Sequence, residues 1–427
     1  MLLNEARSPA ALSASQSRQL RSLVRYSAAR VPFYRDLYAA HGVDPATFRG
    51  LPDLSSLPMV DKRLMRAAGG AILSLDAPSK LVTIRTSGST GEPFTFQIDQ
   101  RHDQWRKAQC LRPYVSNGRR LRDKVLRLTA FPIQRTPWFS RLGLLRETQL
   151  HCSTEPRGVV GAWRRYAPDI LQGYPADLRA LAHYCLEAGE PLRPAPRLIF
   201  SDSGLMLPDT RALIARAFGI SATDIFGTFE SDNTAFECAV HNGYHIASDS
   251  VILEIVQDGK PVRIGEAGEL VVTVLGNRTS PFIRYNLKDI GRLSAQPCPC
   301  GLPFPLLSVI EGRANDLLRL PGGRTLGPSG ALVLMTQFAD AIIQYQLRQL
   351  AIGHFELFIV PSNRFAQLGP QPIIDALRSQ LGAATIELRL VAAIAPDRSG
   401  KLRAFISQLV DHAEDRAGST APPAPPE

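Results

Sequence analysis

The chain has 427 residues, 44% hydrophobic and 21% charged, and its 49 Lys+Arg against 39 Asp+Glu give a formal net charge of +10. That length accommodates two or three domains with a sizeable core, which excludes a peptide module or a fibrous chain, and the apolar fraction is too high for a disordered one. No run of about eighteen uncharged apolar residues occurs, and Met1 to Arg30 is broken by Glu5, Arg7, Arg18, Arg21 and Arg25, so the expectation is a cytoplasmic protein with neither membrane span nor secretory signal.

The positive balance is carried by Arg, since the chain has only seven Lys: Lys62, Lys80, Lys107, Lys124, Lys260, Lys288 and Lys401. It is spread evenly, with no basic run interleaved with aromatics, so no nucleic-acid partner is expected.

Taken in chain order, Ser15 to Ala40 sets Leu, Val, Tyr and Ala among Arg and Ser at helical spacing and reads as one or two amphipathic helices. From Leu81 the texture becomes strand, glycine loop, strand: Leu81 to Ile84, Thr86 to Pro93, Phe94 to Ile98. In that loop Gly88 and Gly91 let backbone N–H groups face a common concavity, and Ser87, Ser89 and Thr90 supply hydroxyls, a composition suited to phosphate oxygens. No Lys follows the second glycine, so this is not the common Gly-x-x-x-x-Gly-Lys loop; a plain Ser/Gly hairpin turn is the competing reading.

Helical patterns at Asp177 to Glu187 and Asp209 to Phe218 alternate with short apolar runs such as Arg197 to Phe200, which argues for strands buried between helices. Next comes Asp224 to Ser231. Phe226 followed by Gly227 can lay a ring beside a planar base, and the Glu230 carboxylate can hold magnesium against phosphates; a core Phe and a solvated Glu are the plain alternative. Beyond Ile246 the chain is strand-rich (Val251 to Val256, Gly268 to Leu275, Ser280 to Tyr285), as in an antiparallel subdomain. Asp289 offers a carboxylate for ribose hydroxyls and Arg313 a cation for phosphate.

Cys238, with His241 or His245, and then Cys298 and Cys300 offer thiolates and an imidazole of the kind that hold zinc in a closed, structural site. Cys110, Cys152 and Cys185 read as core packing. Past Glu311 to Asp316 a smaller α+β unit is expected: helix Ser329 to Ala341, strands Ile343 to Leu350 and His354 to Val360, helix Pro372 to Leu381, strand Thr385 to Ala392. Lys401 follows the Gly400 turn, placing one compact charge on a loop. An Ala/Pro-rich tail ends the chain.

In order and spacing these segments resemble the adenylate-forming superfamily, specifically its phenylacetate-CoA ligase-like branch with capsule-biosynthesis and coenzyme F390 synthetase homologues. The likeness runs from about Val31 through Ser407. It implies an α/β protein: a large N-terminal nucleotide- and acyl-binding domain (1–312) of α/β subdomains plus a small antiparallel β subdomain, a small mobile α+β C-terminal domain (313–412) carrying the catalytic lysine, and a disordered tail (413–427). It also implies ATP-dependent activation of a small carboxylic acid, aromatic by the same likeness, as acyl-AMP, with transfer to coenzyme A or to the phosphopantetheine of an acyl carrier protein.

By that likeness Ser87, Gly88, Ser89, Thr90 and Gly91 embrace the β and γ phosphates, Gly204, Phe226 and Gly227 line the adenine, Asp289 binds the ribose with Arg313 nearby, Glu230 holds magnesium, Asn315 is the hinge, and Lys401 bridges carboxylate and α-phosphate. A structural zinc on Cys238, His245, Cys298 and Cys300 is implied in the same way, His245 being favoured by the segment Gly243 to Ile246. The chain departs from the pattern at Phe226, Phe229, Leu205 and Asn315, which leaves open a non-catalytic nucleotide-binding descendant, and an amine acceptor is a further alternative.

Overall fold

The computed structural model describes residues 2–86, 94–132, 137–313, 318–326, 333–397 and 402–409. The chain divides into two compact units, Met1–Ala314 with Ala395–Leu402, and Asn315–Ile394 with Arg403–Glu427.

In the first unit α1 (Pro9–Arg30) and α2 (Pro32–Ala40) occupy the amphipathic opening stretch, and Ser8 caps α1 by accepting the Ala11 N–H at 3.2 Å. A third helix, α3 (Lys62–Ala68), follows, capped by Asp61. Strands β1 (Leu81–Arg85) and β2 (Thr95–Asp99) pair antiparallel around the glycine loop. Asp99 then caps α4 (Gln100–Ser116) by accepting the His102 N–H at 2.7 Å.

A strand-and-helix alternation follows, as its sequence pattern requires. It comprises β3 (Val125–Thr129), β4 (Glu147–His151), α5 (Pro156–Tyr166), β5 (Ile170–Gly173), α6 (Pro175–Glu187), β6 (Leu198–Asp202), α7 (Pro208–Phe218) and β7 (Ala222–Thr228). Strands β3 to β7 are parallel. Their apolar side chains pack on one face against α5, α6 and α7, with Trp163, Leu171, Leu178 and Ile214 at the centre, and on the other against α4, with Tyr114, Phe200 and Phe236.

The chain then turns antiparallel through β8 (Asp232–Glu237), β9 (Tyr244–Ile246), β10 (Val251–Gln257), β11 (Lys260–Pro261), β12 (Ala267–Val274), β13 (Tyr285–Leu293) and β14 (Leu306–Arg313). These strands do not make a separate sheet, as the idea of a subdomain suggests. Hydrogen bonding joins them to the parallel strands in one twelve-stranded sheet of order β11-β10-β12-β13-β14-β9-β8-β7-β6-β5-β3-β4. Helices α1, α2 and α3 and the β1–β2 hairpin cover its antiparallel part through Leu20, Tyr34, Phe96 and Phe282.

Ser280 to Tyr285, expected as a strand, is instead a buried loop, and β13 begins at Tyr285. Asn277 holds the turn, donating to the Ser280 carbonyl at 2.7 Å and accepting from the Thr279 and Ser280 N–H groups, while Arg284 adopts φ 47°. Asp289 therefore lies inside a strand and not after one.

The second unit has a short β15 (Leu318–Arg319) and β16 (Thr325–Leu326) pair and a four-stranded sheet of order β19-β18-β17-β20, with β17 (Ile342–Ala351), β18 (His354–Pro361), β19 (Thr385–Leu390) and β20 (Phe405–Ser407). Helix α8 (Gln371–Leu381) buries Ile373, Leu377 and Leu381. Where a helix was expected over Ser329 to Ala341, the described part is a 3-10 stretch, Val333–Phe338. Among the described residues no helix is long and apolar enough to cross a membrane.

Candidate active site and metal centre

The glycine loop Ser87, Gly88, Ser89, Thr90 and Gly91 lies outside the described residues, as do Asn315 and Lys401. The frame that presents the loop is described: the Thr86 N–H donates to the Phe94 carbonyl at 2.9 Å and the Phe94 N–H to Thr86 Oγ1 at 3.0 Å, closing the hairpin on a buried pair.

Phe226 and Gly227 stand at the end of β7, where the pairing with β8 shifts by a bulge. A Cβ on Gly227 would overlap the Asp232 carbonyl oxygen, so no larger residue fits without moving the backbone. The half-buried Phe226 packs against the core of the antiparallel part. Gly204 is exposed after β6, where a Cβ would meet Pro175 Cδ at 2.8 Å.

Glu230 sits in the turn between β7 and β8, and that turn is tied from several sides. Tyr285 Oη donates to Glu230 Oε1 at 3.1 Å, Ser231 N–H donates to Thr228 Oγ1 at 3.2 Å, and Arg106 of α4 grips Asp232 at 2.5 Å. Burial pushes the Asp232 carboxyl up to about 6 against the pull of Arg106. Sequence reading did not find Tyr285 and Arg106 as partners of this turn. On the neighbouring part of the sheet, Asp289 of β13 is the ladder partner of Arg313 of β14. Strand β13 bends just before it, with Lys288 at φ 60° and its N–H donating to Asn286 Oδ1 at 2.8 Å.

Around the ends of β3, β5 and β6, Phe131 is exposed, Tyr174 is buried with its hydroxyl accepting the Ala130 N–H at 3.2 Å, and Phe200 packs edge-on to Tyr114 at 4.6 Å.

The loops after β8 and β13 bring Cys238, Cys298 and Cys300 to His245 of β9, with ligand atoms all within 4.8 Å of one another. Cys238 Sγ lies 3.6 Å from Cys298 Sγ, and Cys300 Sγ lies 3.3 Å from His245 Nε2. A tetrahedron with metal–sulfur bonds of about 2.3 Å and a metal–nitrogen bond of about 2.0 Å has edges of roughly 3.5 to 3.8 Å, so these two separations are close to the edges that such an ion needs. Burial lowers the His245 pKa, keeping the imidazole neutral as a ligand must be, and raises the Cys238 thiol to about 12, a cost that a cation relieves. His241 is turned to other work, between Glu237 at 3.3 Å and Arg211 at 3.3 Å.

A twelve-stranded mixed sheet with helices on both faces, followed by a small α+β unit, is the fold of adenylate-forming CoA ligases. The solved 2-hydroxyisobutyryl-CoA ligase in its postadenylation state with R3-HIB-AMP superposes with a TM-score of 0.79 at 20% identity, covering 97% of this chain and 92% of that one. The anthranilate CoA ligase AuaEII with anthranoyl-AMP gives a TM-score of 0.56 at 16% identity over 75% of this chain and 66% of that one. No family model matches the sequence. The homologues are phenylacetate-coenzyme A ligases: that of Thermus thermophilus is 25% identical over 392 residues, 85% of each chain, and that of Escherichia coli K12 is 29% identical over 371 residues, 81% of this chain and 80% of the relative. These relatives and folds support an acid–thiol ligase.

Proposed function

We propose that the chain activates a small carboxylic acid with ATP and passes the acyl group to the thiol of coenzyme A. The observation that supports it most is the β7–β8 turn: a carboxylate, Glu230, anchored by Tyr285 beside Phe226 and an irreplaceable Gly227, in a homologue of CoA ligases.

In this reading a carboxylate oxygen of the acid bonds to the α-phosphorus of ATP and the bond to pyrophosphate breaks. The thiol, giving up its proton, then bonds to the acyl carbon and AMP leaves. Glu230 would hold magnesium, which would supply positive charge against the phosphates. Ser87 to Gly91 donate to the β and γ phosphates, Gly204, Phe226 and Gly227 bound the adenine, and Asp289 accepts from the ribose hydroxyls beside Arg313. Negative charge grows on the α-phosphoryl oxygens in the transition state, and the Lys401 ammonium stabilises it there. Asn315 is the pivot on which the lysine withdraws before the thiol enters. Cys238, His245, Cys298 and Cys300 would hold a zinc ion, and four protein ligands would make its role structural.

Pyrophosphate release with ATP, magnesium and a panel of aliphatic and aryl acids tests the first step. Lys401→Ala lowers that release by several orders of magnitude; an unaffected variant, or no acid that turns over, overturns the reading. Mass measurement of the product with coenzyme A, a carrier protein or an amine present decides the acceptor, and the expected product is the CoA thioester. An aromatic acid is the expectation carried from the relatives' names.

A further inference from the structure

On the face of the parallel strands that α4 covers, four polar side chains meet. Arg127 and Gln172 are ladder partners on β3 and β5, Gln172 is the partner of Phe200 on β6, and Asp202 lies two residues beyond Phe200 on the same face. Gln172 Nε2 donates to Tyr114 Oη of α4 and to Asp202 Oδ2, each at 2.6 Å, and Arg127 donates to the same Oδ2 at 3.3 Å.

The group is closed at one end and open at the other. Gln172 is 1% exposed, whereas the side chains of Asp202 and Arg127 keep 15% and 35% of their surface. The open end lies where β5 and β6 finish, the end at which open α/β sheets hold ligands, and Asp202 precedes Gly204 by two residues. The purely apolar side chains expected of a pocket for a hydrocarbon acid are not what this wall presents.

We propose that the Arg127–Asp202 wall receives a hydroxyl group of the substrate, so that the acid this chain activates is a hydroxylated carboxylic acid. This rests on the acid-activation reading above and narrows it. A hydroxyl donates and accepts, and so matches the Asp202 carboxylate and the Arg127 N–H groups together. An anionic substituent fits worse, because Arg127 already faces the negative charges of Asp202 and Glu147. An acid lacking the hydroxyl would take water from the exposed parts of Asp202 and Arg127 and give them no bond in its place, and sites of that kind reject such analogues by about a hundredfold or more.

The test uses the full chain and matched acids with and without a hydroxyl, plus a dicarboxylic acid of similar size, with kcat/KM read from pyrophosphate release. Wild type is expected to favour the hydroxylated member by about a hundredfold, and Arg127→Leu and the milder Arg127→Gln are expected to cut that ratio at least about tenfold while ATP affinity holds, which also shows that the variants fold. A wild-type ratio near one, a preference for the dicarboxylate, or variants that slow both members equally overturns the proposal and leaves acid activation standing. No turnover of any acid overturns both.

Discussion

Asp224 is wholly buried on β7, and its carboxyl is pushed up to about 7 by burial and by neighbouring Glu237, against a hydrogen bond from Tyr244 Oη at 2.7 Å. The folded chain therefore holds a proton there that the unfolded chain, with its ordinary carboxylate value of about 4, has already released. Between those values the fold binds more protons than the unfolded state, so this residue's contribution to stability declines as pH rises from about 4 through 7. In Asp224→Asn that decline is absent, and the variant unfolds at a higher temperature than wild type at pH 8 but not at pH 5; equal pH profiles for the two proteins would refute the assignment. At this scale the sequence made several residues legible for identifiable reasons. Gly227 was singled out by the family resemblance of its segment, the run by itself reading equally as a core Phe and a solvated Glu, and the Cys/His set by its soft ligands together with that resemblance. Tyr285 as the anchor of Glu230 was not legible, because 55 residues separate the two and only the fold of β13 beside the β7–β8 turn brings the hydroxyl to the carboxylate.

Among the elements, α4 is the one whose packing is most polar. Its Arg112 forms a bidentate pair with Asp249 at 2.7 and 2.5 Å, with side chains 1% and 4% exposed, and its guanidinium lies 5.3 Å from the Phe304 ring. Asn4 joins the same carboxylate at 2.6 Å, so one ion pair fastens the N-terminal segment and α4 to the turn before β10. Removing one member of such a pair leaves an uncompensated buried charge, which costs about 3–5 kcal/mol. Arg112→Met is expected to lose that much in denaturant unfolding, and adding Asp249→Asn should restore part of it; additive losses would mean the two residues act separately. Helices and parallel strands were legible wherever apolar periodicity was strong, as in α1, α6, α7 and β6. Strand β4 was not, since Glu147, Thr148 and Gln149 give it no apolar alternation and it forms only because β3 offers an edge. The loop Ser280 to Arg284 misled in the opposite direction: Phe282 and Ile283 are apolar because they are buried in the core, and the Asn277 side chain shapes the backbone there.

For the molecule as a whole, the Cys/His cluster and β7 belong to one sheet and the loops it carries. Glu237, the residue before Cys238, accepts the Asp224 N–H at 2.8 Å and an Arg211 N–H at 2.7 Å, tying the metal loop to β7. The purified chain is expected to contain about one zinc per molecule by elemental analysis, and Cys298→Ser is expected to lose it together with several degrees of thermal stability. Full zinc occupancy in that variant would overturn the ligand set. The same continuity explains why the antiparallel strands looked like a separate subdomain from sequence: their alternation is local, whereas the hydrogen bonds that join β9 to both β8 and β14 are visible only in the fold.

The sheet also ends twice, and the ends differ. Strand β11 is two residues long and closes on Pro261, which lacks the N–H needed to extend a ladder. Strand β4 is five residues long and is the last in the order among the described residues, and its side chains are mostly polar, with Glu147 exposed and accepting from Gln149 Nε2 at 2.6 Å. A second chain adding at the β4 margin would therefore meet the charge of Glu147 first, whereas at β11 it would meet Pro261.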